Sequence, residues 1–90
     1  MAFKTTTNNT KKEDFKYEVV EELGNFGNPD KKGFQWKVRM ISWNGGQPKY
    51  DIRQWGADEN GEEQMRKGVS MDGDTIAALT ELLVKIRDAE

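Results

Sequence analysis

The sequence predicts an α+β domain of order β-β-β-β-α, a four-stranded antiparallel sheet followed by one C-terminal helix. Three observations carry this. Phe34–Trp55 holds two runs that alternate in character every second residue, joined by Asn44-Gly45-Gly46 and Pro48. Shorter alternating runs flank it at Phe15–Leu23 and Gln64–Met71. Only after Asp72 does the apolar period lengthen to that of a helix.

Met1–Asp14 is Thr-, Asn- and Lys-rich with little to bury, so it reads as a flexible tail before a single domain at 15–90. In Phe15–Leu23, Phe15, Tyr17, Val19 and Leu23 share one parity; Glu and Leu favour a helix, but the Val pair and the aromatic alternation favour a strand. Gly24–Gly33 reads as a loop, because its glycines, Pro29 and asparagines supply turn geometry, and no phosphate-loop spacing is present.

Side chains alternate across a strand, so the parities of the central hairpin are physical faces. Lys37, Arg39, Ile41 and Trp43 share one face of the first run, with Phe34, Trp36, Val38 and Met40 opposite. In the second run Lys49, Asp51, Arg53 and Trp55 face one way, Tyr50 and Ile52 the other. Pairing the apolar faces leaves cations interleaved with tryptophans on the other side. Cations and aromatic rings so interleaved suit a phosphate backbone with unpaired bases. Asp51, awkward beside phosphate, is expected to orient Arg53.

Gly56–Glu63 reads as an acidic turn without the residue order of a calcium loop. In Gln64–Met71, Gly68 is expected to mark a bulge. Asp72 is a fitting N-cap, Asp74 lies in the first turn, and Lys85 and Arg87 lie in the last. Ile76, Leu79, Leu83 and Ile86, widened by Ala78 and Leu82, form a stripe broad enough to cover the sheet and leave a surface for self-association.

The 90 residues carry a formal net charge of −2, with 14 Lys plus Arg against 16 Asp plus Glu, which argues against indiscriminate binding of polyanions. There is no Cys and no His, which removes disulfides, thiolate or imidazole metal sites, Cys nucleophiles and the usual general base. Neither an enzyme nor a cofactor is expected. The chain shows no apolar run of membrane-spanning length and no signal-peptide core, so a cytoplasmic protein without a membrane partner is expected.

Ser42-Trp43-Asn44, Pro48-Lys49-Tyr50-Asp51-Ile52-Arg53, Trp55, Lys67-Gly68-Val69-Ser70-Met71 and the closing helix together resemble the single-stranded-DNA-binding domain of eukaryotic transcriptional positive cofactor 4. They are more similar still to the bacterial YdbC-like proteins of that superfamily, from about Phe15 onward. The resemblance implies a strongly curved sheet, a homodimer with two grooves for single strands, base stacking by Trp43, and DNA contacts by Arg53 and Lys67. Two positions depart from the eukaryotic pattern: Gly56 stands where a second aromatic follows Trp55, and Ile41 replaces a basic residue. The regulatory tail of the eukaryotic cofactor is absent, so a coactivator role does not carry over.

The expected nucleic-acid-binding residues are therefore Lys37, Arg39, Trp43, Lys49, Arg53, Trp55 and Lys67, with Arg66 as an extension. The expected partners are single-stranded DNA, with RNA left open, and a second copy of the chain through its helix. An interaction module that binds acidic peptides through the same face is the alternative; it would need the charge but not the spaced rings.

Overall fold

The computed structural model describes residues 16–89. Strands β1 (Tyr17–Phe26), β2 (Gln35–Trp43), β3 (Lys49–Ala57) and β4 (Glu63–Met71) form one antiparallel sheet in the order β1-β2-β3-β4, and helix α1 (Gly73–Asp88) follows. The five elements match the expected kinds and order. The expected tail at 1–14, and Phe15, lie outside the described residues.

Turn chemistry sets the hairpins. Between β2 and β3, Asn44 and Gly45 both take positive φ (52° and 77°), the geometry that lets a tight turn match the twist of its strands. The Asn44 side chain accepts the Lys16 amide at 2.9 Å, tying the start of β1 to this turn. The other two connections are built alike. Asp30 accepts the amides of Lys32 and Phe34 at 2.9 Å, and Asp58 accepts those of Asn60 and Glu62 at the same distance. Each loop closes through a glycine of positive φ, Gly33 or Gly61.

β1 runs three residues past its expected end at Leu23. Gly24, expected to open the loop, instead lies within the strand at one of two register shifts, Val19/Glu21 and Glu22/Gly24. A third shift, between Arg53 and Trp55 on β3, sets Arg66 and Lys67 opposite Gln54, immediately before Gly68. Bulges bend a strand and increase its twist.

Burial corrects the expected core. Ile41 (0% exposed) and Trp55 (2%) are the buried hydrophobic residues among those described, and both lie on the cation-bearing face with buried Arg39 and Asp51. Among the described residues, side chains of the sheet itself lie against these groups: Arg39 and Tyr17 lie against the Trp55 ring, and Arg53 and Ser70 bond Asp51. The opposite face, expected to be the core, is half-buried at Val38, Met40, Tyr50 and Ile52 and exposed at Trp36 and Val69.

The helix begins as expected. Asp72 is extended (φ −79°, ψ 177°), and its carboxylate accepts the Thr75 amide at 2.8 Å. Yet no residue of α1 is buried, and Leu82, Leu83, Val84 and Ile86 are exposed. The helix does not cover the sheet within one chain.

Candidate nucleic-acid interface

Two polar clusters organise the cation-bearing face. The first centres on Asp51, which is fully buried. Arg53 donates to both of its oxygens, Nε at 2.7 Å and Nη2 at 2.8 Å, and the Ser70 hydroxyl donates to it at 2.7 Å. The Trp43 indole N–H donates to that same hydroxyl at 2.9 Å, and the Arg53 guanidinium lies 4.8 Å from the Trp43 ring centre. One buried carboxylate thus orients an arginine, a serine and a tryptophan from β2, β3 and β4. Charge-assisted, bidentate bonds of this kind are short and directional. Asp51 orienting Arg53 is the role its sequence position suggested.

The second cluster centres on Arg39. Its Nε donates to Glu22 Oε1 at 3.0 Å, and its Nη2 lies 2.9 Å from Glu22 Oε2 and 3.1 Å from Glu63 Oε2. Burial alone would push the guanidinium pKa down, but the hydrogen bonds and charges of Glu22 and Glu63 outweigh it and raise it. The Arg39 guanidinium caps the Trp55 ring at 4.4 Å, and Tyr17 packs between Trp55 and Trp43 at centroid distances of 5.5 and 5.7 Å. The Tyr17 hydroxyl donates to Glu63 Oε1 at 3.2 Å. Burial first, then the Glu63 charge and hydrogen bond, push its pKa up to about 12.

The expected site residues separate accordingly. Lys49 and Lys67 are exposed, while Lys37 and Trp43 are half-buried. Arg53 keeps 14% of its side chain exposed. Lys37 and Arg53 are cross-strand partners, as are Ile41 and Lys49, so Trp43, Lys49, Arg53 and Lys37 lie along one β2–β3 face. Trp55 requires correction as a base-stacking residue. At 2% exposure, with Arg39 and Tyr17 against its ring, it offers no face to a base and instead supports those two side chains. Arg39 is likewise enclosed, already holding two carboxylates.

Arg66 is held at the sheet end, where it donates to Asp30 at 2.6 Å and lies over the Phe34 ring at 3.9 Å. The Phe34 ring also explains Gly56: a Cβ there would meet ring atoms at 2.8–3.0 Å, so an aromatic at 56 has no room. Gly68 is equally constrained, because a Cβ would collide with Arg53 and the Ile52 carbonyl.

Sequence reasoning missed Tyr17 as part of the site, Ser70 as the link between Asp51 and Trp43, and Glu63 as a partner of Arg39. Tyr17 and Trp43 are register partners. A sequence carries no direct mark of which strands neighbour one another in that register. Among the described residues no helix is long and apolar enough to cross a membrane, and no group of three or more acidic, His or Cys side chains could hold a metal.

An open antiparallel sheet followed by one C-terminal helix, with cations and aromatic rings on one face, defines the class of protein. Residues 29–82, more than half of the chain, match the family described as Transcriptional Coactivator p15 (PC4), and the chain belongs to that family. It is also similar to an uncharacterized protein of Treponema pallidum (strain Nichols), 39% identical over 71 residues that span 79% of each chain.

Proposed function

We propose that the protein binds single-stranded DNA with little sequence preference. The observation that supports this most directly is the row Trp43, Lys49, Arg53 and Lys37 along one face of β2 and β3. Its lysines contact phosphates at intervals, Trp43 stacks on a base, and exposed Lys67 adds a contact from β4. Arg53, held by Asp51, turns its remaining exposed edge to the backbone. Membership of a coactivator family agrees with a nucleic-acid partner and a non-enzymatic role inside the cell.

The binding unit is a homodimer. A helix without a buried residue and a half-exposed apolar sheet face leave too much apolar surface uncovered for one chain. The radius of gyration, 15.1 Å, exceeds the roughly 11–12 Å of a compact domain of this size.

Comparison of oligo-dT, a blunt duplex of equal length, single-stranded RNA and an acidic peptide at one salt concentration tests the reading. Oligo-dT should bind more tightly than the duplex and quench tryptophan fluorescence. Equal affinity for duplex, or preference for the peptide, would overturn it. The RNA arm decides between the two nucleic acids. Lys49→Ala and Lys67→Ala should each flatten the slope of log affinity against log salt by about 0.7.

A further inference from the structure

The Glu63 carboxylate receives donors from two strands. Arg39 Nη2 of β2 reaches Oε2 at 3.1 Å, and the Tyr17 hydroxyl of β1 reaches Oε1 at 3.2 Å. Two donors converging on two oxygens of one anion would serve a phosphate equally well. The receiving side is fixed: the Arg39 side chain is 5% exposed and anchored through Nε by Glu22, and Tyr17 is wedged between two indoles. The occupant is not fixed in this way. Glu63 is 39% exposed, begins β4, and follows the acidic turn of Asp58, Glu59 and Glu62. The guanidinium also has donor capacity to spare, since buried Arg39 Nη1 has no hydrogen-bond partner, and neither has Trp55 Nε1 of the ring beneath it.

We infer that Arg39 Nη2 and the Tyr17 hydroxyl form a phosphate seat that the chain fills with its own Glu63, and that a backbone phosphate of a bound single strand displaces that carboxylate. The inference rests on the single-strand reading above. Glu63 then weakens binding by competition. It also hides one phosphate contact from the salt dependence, because the released carboxylate takes up a cation as the phosphate gives one up. Arg39 returns as a phosphate ligand, reached only after Glu63 leaves. Arg39→Gln would remove the part of the Glu63 effect that exceeds the Glu62 control.

Glu63→Gln keeps the side chain's shape and removes its charge. Glu62→Gln, at an exposed neighbour, removes an equal charge without touching the seat. For oligo-dT, E63Q should bind roughly two- to fivefold more tightly than wild type, the size of a partly exposed ion pair. It should also steepen the salt slope by up to about 0.7. E62Q should gain less affinity and leave the slope alone. In the unaltered protein, the side-chain carboxyl carbon resonance of Glu63 should shift as oligo-dT saturates the site, and this decides the matter if E63Q melts early. Equal gains from the two variants, or an unmoved Glu63 resonance, overturn the seat and leave single-strand binding standing. Absence of oligo-dT binding by the wild-type chain overturns both.

Discussion

Asp51 does the most at the scale of single residues. Three side chains depend on it directly or through Ser70, and it is fully buried. Removing one partner of a buried ion pair strands the other, so Asp51→Ala should cost roughly 3–5 kcal/mol in urea unfolding. Gly68→Ala should also destabilise, by about 1–3 kcal/mol, because the added methyl meets backbone as well as the Arg53 side chain. Tyr17 supplies a pH signature. Its hydroxyl titrates near 12 in the folded chain against about 10 when unfolded. The raised value means the neutral form is favoured by folding. That stability is complete below pH ~10 and is lost as pH rises through the folded value. Tyrosinate absorbance should show Tyr17 titrating late, and Glu63→Gln should lower its pKa only in part, since burial is the larger cause.

At the scale of elements, the Asp72 cap invites a test. The Thr75 amide holds its carboxyl below the usual range. The cap's contribution is therefore present above pH ~4 and lost as pH falls through the depressed value. Asp72→Ala should lower the melting temperature at neutral pH and bring it closer to wild type in acid. This cap was legible in the sequence because capping is local: one residue type, a fixed offset and a period change suffice. So were the order of elements along the chain and the Asn44-Gly45 turn. The paired loops were legible in principle, since Asp30-x-x-Gly33 and Asp58-x-x-Gly61 share one spacing, yet composition alone suggested only turns. The burial of Trp55 and Arg39 was not legible. Alternation says which residues share a face, but the bend that buries a face depends on register shifts at Val19/Glu21, Glu22/Gly24 and Arg53/Trp55. The parities of the central hairpin held, while the expected exposure of the two faces was reversed at their centres.

At the scale of the whole molecule, the described chain spans 47 × 33 × 18 Å, elongated for its size. Its exposed helix surface predicts association. Sedimentation equilibrium at micromolar concentration should show a species of twice 10.3 kDa. Leu83→Glu on the exposed helix should shift it toward the single chain and lower the unfolding midpoint with it, because folding and association are then linked. If Leu83→Glu leaves both mass and midpoint unchanged, the helix is not the interface.

The two irregularities of β1 also bear on what the protein avoids. An outer strand with its amides and carbonyls in even register is a template on which other chains polymerise. β1 breaks that register twice within ten residues and carries Glu18, Glu21 and Glu22 along the same stretch. A foreign strand could match only a few residues before its hydrogen-bonding groups fell out of step, and its approach would bring it against three acids. The register shifts of β1 should thereby also make the molecule a poor seed for fibrils.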